Sequence, residues 1–130
     1  MAVTRSQKYR MIELDEIKYE KLSSQALESL TEYLEDLGDQ MVDNEEFDIE
    51  YSQGVLTLRT GNAGAGVYVL NKQPPNKQIW LSSPISGPER YDYDASHDAW
   101  FCRHTDQSLG QLLKSELTEI FGQDIEIPIN

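Results

Sequence analysis

Between Phe47 and Arg103 apolar residues recur at every second position in short runs, each separated from the next by a few turn-forming residues. Period-two alternation marks strands with one face buried and one wet, and loops this short can only join antiparallel neighbours. Phe47, Ile49 and Tyr51 alternate with Asp48 and Glu50, and Ser52-Gln53-Gly54 then turns the chain into Val55-Leu56-Thr57-Leu58. That pattern predicts a hairpin. A small-residue loop from Gly61 to Gly66 precedes a third strand over Val67–Gln73, and Pro74-Pro75 and the Pro84 to Pro88 segment divide the third, fourth and fifth strands. Ala99 to Arg103 reads as a sixth.

Helical periodicity flanks this block on both sides. Leu22, Ala26, Leu30, Leu34 and Leu37 form a stripe in a helix predicted from about Asp15 to Leu37, with Gly38 as its stop signal. Ser108 and Gln111 have capping-box spacing ahead of a second helix whose apolar face is Leu109, Leu112, Leu113, Leu117 and Ile120. Beyond Gly122, alternating Ile125, Ile127 and Ile129 predict a tail lying in the groove between the helices. Helix, about six strands, helix is the order of an α+β two-layer sandwich, with the N- and C-terminal helices on one face of an antiparallel sheet and the other face in water.

That wet face carries an anomaly. In Lys77-Gln78-Ile79-Trp80-Leu81-Ser82, Ile79 and Leu81 take the core side, so Gln78, Trp80 and Ser82 point outward. Either a loop covers Trp80, or it anchors a docking surface, since an outward indole among polar groups is what an interface hot spot looks like. Neighbouring runs put Asn71 and Gln73 on one face and set Arg90 and Asp92 opposite Tyr91 and Tyr93, so amides, an indole and a guanidinium are expected on one side. The wording of this stretch, NKQ, then PNKQIWLSSP, then SGP, then RYD, resembles the frataxin family in order and spacing. The similarity runs from about Leu14 to Phe121, and the full PNKQIWLSSP form is similar to the eukaryotic, mitochondrial branch.

Composition sets outer bounds. A chain of 130 residues suits one domain, and the expected division is a flexible N-terminal arm over 1–13 followed by a single frataxin-like domain over 14–130. A lone Cys102 cannot form an internal disulfide and reads as a small apolar side chain of the sixth strand. No apolar run has bilayer-spanning length, so no membrane is expected as partner. A net charge of −12 argues against nucleic acid, whose phosphates demand clustered Lys and Arg. The charge is uneven: ten acids and no Lys or Arg lie between Leu22 and Leu58, whereas Glu89 is the only acid from Arg59 to Arg90.

The acids Glu16, Glu20, Glu28, Glu32, Glu35, Asp36, Asp39, Glu46 and Asp48 make a ridge broken at Ser24 and Gln25. Like charges four apart oppose a helix by roughly 0.2 to 0.5 kcal/mol per pair, so a solubility face and a set of weak, exposed cation sites are both consistent with it. No closed metal motif or phosphate loop is present. His97, in a turn, and His104, at a strand end, read as solvated or locally hydrogen-bonded imidazoles. No nucleophile–base pair can be assembled.

The resemblance implies more than the residues do. It implies that the ridge binds iron, Fe(II) or Fe(III), weakly. It implies that Asn71, Gln73, Gln78, Trp80 and Arg90 form a contact surface for the mitochondrial iron-sulfur cluster assembly complex of cysteine desulfurase and scaffold protein, where the family promotes sulfur transfer. The role expected is that of a non-catalytic activator in the mitochondrial matrix, in a mature form without its transit peptide. A monomer is expected, with metal-induced oligomerisation as the other state. The alternative is a ferroxidase, iron chaperone or iron-storing oligomer acting through the ridge.

Overall fold

A computed structural model describes residues 7–41 and 43–130. Its elements run α1 (Glu16–Gln40), β1 (Asp48–Ser52), β2 (Val55–Arg59), β3 (Val67–Gln73), β4 (Gln78–Ser83), β5 (Gly87–Asp94), β6 (Ala99–Cys102), β7 (Gln107–Ser108) and α2 (Leu109–Phe121). The strands form one sheet in sequence order, antiparallel throughout. This is the expected two-layer α+β sandwich with seven strands in place of six: β7 is a two-residue strand that pairs with β6 directly ahead of α2. The β1–β2 turn uses Gln53 (φ 51°) and Gly54 (φ 77°), the left-handed pair whose twist matches the flanking strands.

One core lies between the helices and the sheet. Leu27, Leu30, Leu34 and Leu37 of α1 and Leu109, Leu113 and Leu117 of α2 meet the inward residues Leu56, Leu58, Tyr68, Leu70, Ile79, Leu81 and Tyr91. Asp15 caps α1 by accepting Lys18 N (2.7 Å), and the capping box of α2 is complete, Ser108 Oγ accepting Gln111 N and Gln111 Oε1 accepting Ser108 N. Ile125 is fully buried, and a Cβ on Gly110 would come within 2.1 Å of Ile129 O, so the tail seats directly against α2. Among the described residues no helix is long and apolar enough to cross a membrane.

Two expectations are corrected. Gly38 does not end α1, which continues to Gln40 with Met41 as its cap. The glycine instead makes room: a Cβ there would sit 2.6 Å from Phe47 Cε1, and Phe47 packs edge-on against Phe121. Nor is the N-terminal arm free over residues 7–13. Tyr9 is 4 % exposed because it stacks on Phe101, on the sheet face opposite the helices. Lys8 N and Tyr9 N donate to the Asp106 carboxylate, Arg10 N to Asp94 Oδ2, and Ile12 N to Tyr93 O. Residues 1–6 of the expected arm lie outside the described residues.

Candidate docking face and acidic ridge

Register places the predicted contact residues together. Asn71, Trp80 and Arg90 are direct cross-strand partners on β3, β4 and β5, forming one row on the face opposite the helices. Gln73 and Gln78 pair in the next row. Their core-side neighbours Leu70, Ile79, Leu81 and Tyr91 are buried, which fixes the parity: a slip of one residue would bury the amides and expose the leucines.

Trp80 is half-buried rather than open. The Arg90 guanidinium lies over its ring, 4.6 Å from the centroid, and its Nε1 donates to Gln78 Oε1 at 2.8 Å. Gln78 Nε2 donates to Asp92 Oδ1 (3.1 Å), and Arg103 Nε lies 3.0 Å from Asp92 Oδ2. These residues line an open hollow of about 850 Å³ that also takes in Met11 from the arm, Asn76 and His104. The face therefore combines a stacked indole, the amides of Asn71 and Gln78 and the guanidinium groups of Arg90 and Arg103 in one open concavity. Met11 and Arg103 were not singled out from sequence, because nothing local to residues 7–13 or 103 reveals that they meet β4 and β5.

The two histidines divide. His97 Nδ1 is 2.8 Å from Asp94 Oδ2, and its ring meets Tyr9 edge-on. Burial pushes the Asp94 carboxyl up, but hydrogen bonds from Ser96, Arg10 N and His97 outweigh it and hold the group well below the usual carboxylate range. This latch fastens the arm. His104 is exposed at the rim of the hollow.

Beneath the sheet, burial first and then the nearby Glu89 and Glu116 carboxylates raise the Tyr91 phenol, so it stays protonated. Cys102 is buried, and its thiol donates to Glu89 Oε2 at 3.1 Å. It is a packed side chain of β6.

Glu16, Glu20, Glu28, Glu32, Glu35, Asp36 and Asp39 all lie exposed along α1, with Glu46 in the following turn and Asp48 at the start of β1. Their oxygens suit a hard or borderline divalent cation such as Fe(II). They do not converge: among the described residues no three His, Cys, Asp or Glu side chains are placed to hold one ion. Glu20 is engaged elsewhere, its Oε1 2.6 Å from Lys72 Nζ, and that hydrogen bond holds its carboxyl below the usual range. Ser24, where the acidic series breaks, also accepts from Lys72. Glu28, Glu32, Glu35, Asp36 and Asp39 remain able to take a hydrated cation in pairs one turn apart.

Two helices covering one face of an antiparallel meander, with a polar, indole-centred patch on the other, define a small α+β sandwich domain. A family model described as a frataxin-like domain matches residues 12–123. Over 114 residues the chain is 46% identical to the mitochondrial frataxin of Arabidopsis thaliana, covering 88% of this chain and 59% of that protein. Solved yeast frataxin superposes with a TM-score of 0.70 at 36% identity, over 93% of this chain and 96% of that one. A crystal structure of trimeric Saccharomyces cerevisiae frataxin complexed with ferrous iron gives 0.67 at 38% identity, over 78% and 87%. This chain belongs to the frataxin family. It spans less than three fifths of the length of the Arabidopsis and Drosophila relatives, at 59% and 57%.

Proposed function

We propose that this chain works in the mitochondrial matrix as an activating subunit that docks, through the sheet face, on the iron-sulfur cluster assembly complex of cysteine desulfurase and scaffold protein. The relatives named as mitochondrial support the location. The observation that carries the docking reading is the single row Asn71–Trp80–Arg90, flanked by the Gln73–Gln78 pair, on the one broad face that the helices leave bare. Trp80 supplies apolar area to a partner pocket, Arg90 a forked donor, and the Asn71 and Gln73 amides hydrogen bonds that adapt to either donor or acceptor, while Gln78 holds the indole. Such a face performs no chemistry of its own. Its contribution is to bind the assembly in the arrangement competent for sulfur transfer, which shifts a conformational equilibrium by its differential affinity for that state.

Iron enters this reading as weakly held cargo on Glu28, Glu32, Glu35, Asp36 and Asp39, where it supplies a positive charge that relieves ridge repulsion. Glu16, Glu46 and Asp48 extend the ridge at either end. The trimeric, ferrous-bound yeast structure supports a second reading, in which the ridge serves an iron chaperone, ferroxidase or iron-storing oligomer. The dispersed carboxylates favour the first, because redox chemistry on bound iron gains from fixed geometry. The test is capture of purified desulfurase–scaffold complex by the immobilised chain, with and without Fe(II). The docking reading expects capture that Trp80→Ala removes and that Glu28, Glu32 and Glu35 changed together to Gln retain; the ridge reading expects the reverse sensitivity.

A further inference from the structure

An indole anchors an interface more tightly when its orientation is set before the partner arrives, because ordering it on contact costs affinity. Arg90 restrains the Trp80 ring by lying on it, but stacking alone leaves the ring edge undirected. The edge is held by Gln78, and a glutamine amide has two ends. Only its oxygen can accept from the indole N–H, which is a donor alone. With the amide turned over, two donors would face each other.

We propose that Asp92 and Arg103 are positioning residues that decide this amide orientation and, through it, the direction of the Trp80 indole. An ionised carboxylate accepts and cannot donate, so Asp92 Oδ1 takes the NH₂ end of Gln78 (3.1 Å) and leaves the oxygen for Trp80 Nε1 (2.8 Å). Asp92 is only 6 % exposed, and burying a carboxylate calls for a paired cation beside it. Arg103 meets that need at 3.0 Å while most of its side chain stays in water. The sheet makes the arrangement possible. Asp92 is opposite Phe101, so Arg103, two residues on and in the turn directly after β6, comes within reach of it, and the neighbouring Ile79–Tyr91 pair brings Gln78 to the other side of the carboxylate. The relay thus runs from the turn after β6 across β5 to β4 and ends on the one residue on which docking depends most.

The consequence for capture rests on the docking reading above; the orientation itself is measurable in the isolated protein. The experiment follows indole N–H signals of the full ¹⁵N-labelled chain by NMR. The two tryptophans give two signals, and Trp100, buried at 3 % exposure between Tyr19 and Tyr93, is the internal reference. Asp92→Ala and Arg103→Ala are expected to shift the Trp80 signal, to speed its exchange with water about 3- to 10-fold, and to weaken capture of the desulfurase–scaffold complex by a similar factor, with Trp100 unchanged. Arg103→Lys, which keeps a cation in reach of Asp92, should restore most of both. If Asp92→Ala loses the Trp100 signal and so the fold, the exposed Arg103 decides alone. A Trp80 signal unmoved by Arg103→Ala overturns the relay. Failure of the parent chain to capture the complex overturns the docking reading and leaves the indole result to stand or fall by itself.

Discussion

Arg90 lies 4.6 Å above the Trp80 ring, on the strand position directly opposite it, so an outward indole of the sheet is covered by an exposed side chain able to move aside. A cation over a half-buried indole at the surface contributes about 1 kcal/mol, which is small beside what burying the same indole in a partner releases. Arg90→Ala should therefore cost only about 2 to 5 °C in melting temperature while moving Trp80 fluorescence to the red as water reaches the ring. A blue shift would mean that the indole drops into another pocket.

Gly38 gives a second prediction, with a sign that separates two explanations. By helix propensity, Gly38→Ala in the last turns of α1 should stabilise the protein by about 1 kcal/mol. The new methyl group would meet the Phe47 ring at 2.6 Å, however, and overpacking of this kind costs about 1 to 3 kcal/mol. Thermal unfolding should show a lower melting temperature. A rise would place Phe47 elsewhere.

This residue also shows what the sequence could and could not carry. Strand alternation, the capping box at Ser108 and the parity of Trp80 are local patterns, and each is readable because burial repeats at the period of the element. Gly38 obeys the local rule for a helix stop and yet lies inside the helix, because its reason for being small is an aromatic ring nine positions away. Tyr9 covering Phe101 is equally invisible: β6 has both faces buried, and only the fold brings the arm to its outer side. The Lys72–Glu20 pair spans 52 residues, and so a carboxylate that looks available in the ridge is already engaged.

Acid should release the arm. Asp94 titrates below its unfolded value of about 3.9, so its contribution to stability is complete above that pH and is lost as pH falls through the lower, folded value. Melting curves of the parent between pH 5 and 2 should fall more steeply than those of Asp94→Asn, which keeps one acceptor oxygen where the carboxylate has two and so turns its NH₂ end on either Arg10 N or the Ser96 and His97 N–H groups. At pH 7 the substitution should cost about 1 to 3 kcal/mol. Parallel pH profiles would show that other carboxylates dominate acid unfolding.

The ridge divides into free and engaged acids. Glu28, Glu32 and Glu35 changed together to Gln should raise the melting temperature by about 2 to 5 °C at low ionic strength and blunt the stabilisation given by Fe(II). Glu20→Gln, which breaks the pair with Lys72, should give no such rise and leave the Fe(II) response intact. Calorimetry with both variants decides it; a loss of metal response in Glu20→Gln alone would move the cation to the N-terminal half of α1.

Docking through the sheet face is tested most directly by the affinity of the desulfurase–scaffold complex for the parent chain and for Trp80→Ala, measured by titration calorimetry. The outward position of Trp80 means the variant should keep the fold, and removal of a central aromatic anchor should weaken binding by about 2 kcal/mol or more, roughly 30-fold. Equal affinity for the two folded proteins would contradict docking through this face.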